Sequence, residues 1–227
     1  NKIVLDVTVG KGAFMKNKED AQKLAEQMIR IGELAGREVR CVLTPMDEPL
    51  GYSIGNSLEV IEAINFLKGD MPKDLKNVVL ELGANMLQLA GKGENIEENK
   101  LKILENIENG NAYNKFVEMV ENQGGDISFV EDTTKFKKSK YTLAVVTKKT
   151  GKVTEINAED IGKLACYLGA GRVNKDDKIE PDVGIVLNKK VGDEVLEDDF
   201  LAYICANDEN KLMDAEKRIL KIYKIEN

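Results

Sequence analysis

The chain has 227 residues, of which 42% are hydrophobic and 32% charged, and this is ordinary for a folded protein of one large or two modest domains. Its formal net charge of -7 disfavours binding to nucleic acid. No window approaches the roughly 18 apolar residues that indicate a membrane span, so we predict neither nucleic acid nor a membrane as a partner.

The first part of the chain alternates strand and helix signals. A β-branched apolar run favours a buried strand, and Asn17 followed three residues later by Asp20 is typical of a helix start. The predicted elements are a strand over 3–9, a helix from 17 to 36, a strand over 39–44 and a helix over 57–67. This order predicts a βαβ unit with parallel strands, hence a sheet flanked by helices.

Two glycine-containing loops, residues 10–14 and 45–56, directly follow the two predicted strands. We expect both at the edge where open α/β sheets bind ligands. Residues 10–12, Gly-Lys-Gly, could bind an anion through backbone amides, or could simply form a strand-to-helix turn. Asp6, inside the first strand, is interpreted either as a cap of the following loop or as a site residue.

The second loop and the helix after it suggest a cation site. Residues 45–69 contain two prolines and three glycines, which leave backbone carbonyls outside regular structure. Glu59 and Glu62 follow within one helical turn of each other. Carbonyl and carboxylate oxygens are the ligands that hard cations prefer.

The remainder of the chain changes character near position 125. Helices are predicted over 73–92, 97–109 and 111–123, followed by a polar linker over 132–140. Short strands are predicted over 141–146, 151–156, 184–187 and 200–204, with helices near 158–168 and 210–224. We therefore predict an α/β domain over 1–125 and a smaller α+β domain over 126–227 that starts with a linker of about 126–140.

Cysteine and histidine content limits the chemistry. There is no histidine, which removes the commonest general base and the commonest transition-metal ligand. The three cysteines lie in apolar segments without metal-type spacing, and they are Cys41, Cys166 and Cys205. We interpret them as free thiols in a reducing compartment and expect a cytoplasmic protein without a signal peptide.

Four blocks of sequence resemble the thymidine and pyrimidine-nucleoside phosphorylase family. They are Val4–Met15, Asp47–Ala63, Asp160–Arg172 and Val183–Asp193. The resemblance covers nearly the whole chain, but family members are much longer, and only their C-terminal half is represented.

The resemblance implies that the chain is the C-terminal portion of a glycosyltransferase that converts a pyrimidine nucleoside and phosphate into free base and (deoxy)ribose 1-phosphate. It implies an incomplete α/β domain, without the helical domain, followed by an α+β domain with barrel-like strands. The implied partners are the nucleoside, phosphate and the N-terminal half of the same protein, in a homodimer when intact. No catalytic residue is assigned to this chain, so the chain alone is expected to be inactive.

Four positions take their expected roles from the resemblance. Phe14 would line the pyrimidine pocket. Potassium would be held by the backbone carbonyls of Leu50 and Ser53 and by the carboxylate of Glu62. Thr8 departs from the family, in which many relatives carry lysine at this position.

Two alternatives compete with this interpretation. Val183–Ile204 resembles half of a biotinyl or lipoyl carrier domain, which would make the chain a non-catalytic carrier or scaffold. A carrier needs its lysine in a specific setting that is absent here, so Lys189 and Lys190 are interpreted as turn or pocket-rim cations. The other alternative is a fragment of an enzyme that acts on AMP or resembles the phosphoribosyltransferases, and the long segment after Gly125 argues against the latter.

Overall fold

The computed structural model describes all 227 residues and shows a mixed α/β protein whose sheets are flanked by helices. It forms two compact units. Unit 1 comprises Asn1–Met46 and Asn65–Gly125, and unit 2 comprises Asp47–Ile64 and Asp126–Asn227. The segment 47–64 thus groups with the C-terminal residues. None of the helices is both long enough and apolar enough to cross a bilayer.

Unit 1 contains a pair of parallel strands and four of the helices. Its elements are β1 (Lys2–Val9), α1 (Lys18–Leu34), β2 (Glu38–Pro45), α3 (Lys73–Leu89), α4 (Ile96–Glu108) and α5 (Asn111–Asn122). The Asn17 side chain accepts a hydrogen bond from the backbone N–H of Asp20 at 2.9 Å, which caps α1 as predicted. Ala21 and Ala25 of α1 are buried against Val7 of β1.

The predicted βαβ unit is confirmed. Strands β1 and β2 pair in parallel, and Val9 lies opposite Pro45 at their C-terminal ends. The backbone N–H of Met46 donates to the carbonyl of Val9 at 2.7 Å, and Gly12 N–H donates to the carbonyl of Met46 at 2.8 Å. The loop after β1 and the start of the loop after β2 therefore meet at one edge, as the sequence pattern predicts.

Unit 2 contains helix α2 (Asn56–Leu67), whose last residues cross into unit 1, and two sheets. Strands β3 (Ser53–Ile54), β4 (Tyr141–Val146), β6 (Gly184–Leu187) and β8 (Phe200–Ala206) form an antiparallel sheet of order β3-β6-β8-β4. Strands β5 (Gly151–Ile156), β7 (Glu194–Val195) and β9 (Tyr223–Glu226) form a second antiparallel sheet of order β7-β5-β9. The helices are α6 (Ser128–Glu131), α7 (Ala158–Ala165) and α8 (Glu209–Ile222), with a π-helical turn over Cys166–Ala170.

One apolar core unites the elements of unit 2. Ile156, Ile161, Ile185, Ile204 and Ile219 come from different strands and helices and are fully buried. Their burial supplies the main stabilisation of the unit, because each large aliphatic side chain removed from water contributes about 1.5–3 kcal/mol.

Three details differ from the sequence predictions. The predicted barrel-like arrangement is not confirmed, because the strands form two open sheets. The final helix ends at Ile222, and Tyr223, predicted as helical, begins β9 and is buried against β5. The predicted linker contains a short 3₁₀ turn at Thr133–Lys135, where the Asp132 side chain accepts from the N–H of Thr134.

Candidate functional site

The loop after β2 is anchored to the sheet of unit 2. Ser53 and Ile54 pair with Val186 and Ile185 of β6, and the carbonyl of Tyr52 accepts from the N–H of Leu187 at 2.7 Å. Gly51 has a φ of +67°, which turns the chain just before β3. We call residues 48–53 the cation loop, because they include the predicted carbonyl ligands Leu50 and Ser53.

Glu62 of α2 reaches back to this loop. Its Oε1 accepts a hydrogen bond from the backbone N–H of Tyr52 at 2.8 Å. A Cβ atom on residue 51 would lie 2.3 Å from Glu62 Oε2, so the absence of a side chain at Gly51 makes room for the carboxylate. The structure thus places Glu62 against the two residues that separate Leu50 from Ser53, and the three predicted ligands lie in one small region of unit 2.

Glu59, one helical turn before Glu62, has a different role. Its Oε1 accepts from the backbone N–H of Gly55 at 3.0 Å, at the start of α2. A carboxylate at a helix N-terminus satisfies a free backbone donor and interacts favourably with the helix dipole. Glu59 therefore stabilises the beginning of the helix, whereas Glu62 contacts the cation loop.

Lys190 is the residue of this site that the sequence interpretation missed. Its exposure is only 8%, so the interpretation as a turn or rim cation is wrong for this residue. The Lys190 ammonium donates to the carbonyls of Pro49 and Gly51, the latter at 2.9 Å. Glu48 Oε2 lies 3.6 Å from Lys190 Nζ and also accepts from the N–H of Val191 at 2.9 Å. Only the lysine doublet at 189–190 marked this position, and nothing local predicts its burial.

The neighbouring Lys189 is held from the other side of the turn. Its ammonium donates to the carbonyl of Glu194 at 3.0 Å and lies 3.3 Å from Asp199 Oδ2. Its backbone carbonyl accepts from the buried hydroxyl of Tyr223 at 2.9 Å. Burial raises the pKa of the Tyr223 phenol well above its usual value, so this group stays a protonated donor. Neither lysine is presented at an exposed hairpin tip, as a carrier domain requires.

Phe14 lies in the loop after β1, in unit 1. The loop is closed by hydrogen bonds from Gly10 N–H to the Met15 carbonyl and from Ala13 N–H to the Gly10 carbonyl, each 3.0 Å long. The Phe14 side chain is 90% exposed and borders an open depression whose rim includes Lys16 and Lys23. An exposed aromatic ring on a fixed loop is available to stack on a planar ligand.

Asp6 contacts the neighbouring strand. Its Oδ1 accepts from the hydroxyl of Thr44 of β2 at 2.5 Å. This hydrogen bond satisfies the buried Thr44 side chain, so the interpretation of Asp6 as a cap of the following loop is replaced by a cross-strand contact.

Comparison with known proteins identifies similar sequences over most of the chain. Residues 1–113 match the family model of the glycosyl transferase family a/b domain, and residues 152–226 match that of the pyrimidine nucleoside phosphorylase C-terminal domain. Pyrimidine-nucleoside phosphorylase from Bacillus subtilis (strain 168) is 47% identical over 221 residues, which are 97% of this chain and 50% of the relative. The enzyme of the same name from Staphylococcus aureus (strain bovine RF122 / ET3-1) is 47% identical over 205 residues, or 90% of this chain and 47% of the relative. The chain therefore spans about half the length of the curated relatives it matches.

Proposed function

Because the chain belongs to the pyrimidine-nucleoside phosphorylase family, we propose that it is the C-terminal half of an enzyme that cleaves pyrimidine nucleosides with orthophosphate. The products would be the free pyrimidine and (deoxy)ribose 1-phosphate. The similarity to relatives of this name over nearly all of the chain supports the reaction, and the contact between Glu62 and the cation loop is the structural observation that carries the proposal.

The reaction transfers a pentosyl group to phosphate at the anomeric carbon of the sugar. A transition state with oxocarbenium character needs phosphate on one face and a stabilised departing base on the other, so catalysis is mainly positioning and electrostatics. In this proposal the N-terminal half of the protein supplies the phosphate site and the polar groups that hold the base. This chain supplies two separate contributions: Phe14, which would contact the base, and the cation loop, which would bind potassium. The intact enzyme would be a homodimer.

The residues of the cation loop fit a monovalent cation. The absence of a Cβ at Gly51 leaves the space in which the Glu62 carboxylate lies, and the carbonyls of Leu50 and Ser53 are in the same loop. Oxygen ligands of this kind suit a hard cation such as potassium. When bound, potassium would be held by the Glu62 carboxylate together with the loop carbonyls, and it would fix the loop relative to α2.

Phe14 would contribute affinity and size selection without taking part in the chemistry. Its ring is exposed and its loop is fixed at the C-terminal end of β1, where a planar pyrimidine or its 5-substituent could pack against it. The proposal also includes the division of the chain into an α/β domain over residues 1–125 and an α+β domain over residues 126–227.

The test is phosphate-dependent release of uracil or thymine from uridine or thymidine in potassium buffer. The chain is assayed alone and after mixing with the matching N-terminal half. We expect no release by the chain alone and release by the mixture. Two folded halves that bind each other without producing activity would overturn the proposal and favour the scaffold alternative.

A further inference from the structure

We propose that Lys190 is a positioning residue for the cation site: its ammonium holds the cation loop in the conformation that brings the Leu50 and Ser53 region against Glu62. This inference rests on the proposed function, because it assigns a role to Lys190 only if the loop binds a monovalent cation. No property of the lysine doublet in the sequence indicates this role, and it follows from contacts between residues 141 positions apart.

The surroundings of Lys190 are built for one ammonium group. Its Nζ donates to the carbonyls of Pro49 and Gly51 and lies 3.6 Å from the Glu48 carboxylate and 5.8 Å from the centre of the Tyr52 ring. A buried ammonium is costly unless it is paired and hydrogen-bonded, and these groups supply both forms of compensation. These four groups belong to residues of the cation loop, so the energy of burying Lys190 depends on the conformation of that loop.

The hydrogen bonds of the Lys190 ammonium lie on either side of Leu50, whose carbonyl is a predicted cation ligand. Pro49 and Gly51, whose carbonyls bind the ammonium, are the neighbours of Leu50 on either side. Gly51 is also the residue against which Glu62 packs. Lys190 therefore fixes the backbone on both sides of Leu50, and Glu62 contacts the same stretch from α2.

A positioning role and a purely electrostatic role predict opposite effects of removing the lysine. If Lys190 acted only through its charge, Lys190→Met would leave extra negative charge and strengthen potassium binding. If Lys190 positions the loop, the same change frees the Pro49 and Gly51 carbonyls and weakens potassium binding. Residues that support metal ligands in this way typically contribute about 10–100-fold to metal affinity.

The experiment measures the half-saturating potassium concentration from the rise in melting temperature of the chain assembled with its N-terminal half. Ionic strength is held constant with tetramethylammonium chloride, whose cation is much larger than potassium. We expect Lys190→Met to raise the half-saturating concentration by about tenfold or more. Lys189→Met removes the same charge from the adjacent residue, and we expect it to leave the value unchanged.

An unchanged or lower half-saturating concentration in Lys190→Met would overturn the positioning role. If this variant does not melt cooperatively, Lys190→Gln decides, because its side chain stays polar but is one atom shorter than lysine and cannot hold both the Pro49 and the Gly51 carbonyl as the ammonium does. We expect weaker potassium binding in Lys190→Gln than in the unmodified protein, and binding as tight or tighter would refute the inference.

The proposed function is tested separately in the same assembly. The wild-type assembly could release base and respond to potassium while the Lys190 variants show the same potassium response. This outcome would refute only the inference about Lys190. A wild-type assembly that is inactive and shows no potassium response refutes the proposed function, and the inference falls with it.

Discussion

The carboxylate of Glu62 lies where a side chain at Gly51 would have to be, since a Cβ on residue 51 would come within 2.3 Å of Glu62 Oε2. We expect Gly51→Ala to displace the carboxylate and to lower the stability of unit 2. The backbone also resists this change, because the φ of +67° costs an L-residue about 1–2 kcal/mol. Gly36 is the matched control, since its φ is also +67° but nothing lies within 4 Å of its Cβ position.

Thermal unfolding of the two alanine variants separates the two contributions. Gly36→Ala reports the cost of the backbone conformation, and the additional loss in Gly51→Ala reports the clash with Glu62. Equal losses of melting temperature in the two variants would contradict the close packing of Glu62 on the loop.

Glu62→Gln tests the assignment of the cation ligand. Glutamine keeps an oxygen that can accept from Tyr52 N–H, so the fold is retained while the charge is lost. Two opposite charges about 4 Å apart attract by about 4 kcal/mol at an effective dielectric constant of ~20, so we expect the potassium dependence of the assembled enzyme to weaken by about tenfold or more.

The control for this variant is Glu59→Gln on the same helix, because Glu59 contacts the N–H of Gly55. We expect it to affect stability slightly and to leave the potassium titration unchanged. Potassium dependence that survives intact in Glu62→Gln would remove Glu62 from the site.

Phe14→Ala tests the proposed contact between Phe14 and the base. The side chain is 90% exposed, so its removal should change the stability of the chain by no more than about 0.5 kcal/mol. Loss of an apolar contact with the substrate is worth about 1–3 kcal/mol, and we expect a 10–200-fold lower kcat/KM of the assembled enzyme, mainly through KM. The comparable variant is Leu34→Ala, which removes another exposed apolar side chain of unit 1. A Phe14→Ala enzyme with unchanged kinetics would separate this residue from the substrate site.

Asp182 predicts a pH dependence of stability. Burial opposes ionisation of its carboxyl, but the ion pair with Lys137 and the hydrogen bonds from Asn207 outweigh it and hold the pKa below its usual value. Because the folded pKa is lower than the unfolded one, the carboxylate stabilises unit 2 above the unfolded pKa of about 3.9, and this stability is lost as the pH falls through the folded pKa.

We therefore expect Asp182→Asn to lower the melting temperature at neutral pH and to lose part of the acid dependence below pH ~4. Melting curves between pH 2 and pH 7 check this, with the exposed Asp176→Asn as the reference variant. If the melting temperature falls with the same slope below pH ~4 in Asp182→Asn and in the wild-type chain, the prediction is contradicted.

The sequence was sufficient for elements with strong local signals. The apolar stripe that begins after the Asn17 cap predicted α1, and the two β-branched runs on either side of it predicted parallel strands. These features depend on neighbours within a few residues, so periodicity and capping rules describe them well.

Features that depend on distant partners could not be predicted in the same way. Tyr223 follows a helix without a break in composition, and only its pairing with Ile156 of β5 makes it a strand residue. The hydrogen bond between Asp6 and Thr44 requires the register of two strands. For the proposed cation site, the family resemblance indicated Leu50, Ser53 and Glu62, but the burial of Lys190 depends on a loop far away in the chain.

This separation in sequence has a consequence for biosynthesis. Pro49 and Lys190 are 141 residues apart, so the cation loop leaves the ribosome long before the lysine that holds it. Since domains fold as their residues emerge, the β1–α1–β2 segment can form early, whereas the loop that follows must wait for nearly the whole chain. A chain that stopped after residue 125 would contain the strands and helices of the first segment but would lack the residues that hold the cation loop. The backbone amides of residues 48–53 would therefore exchange their hydrogens faster in this shortened chain than in the full-length chain.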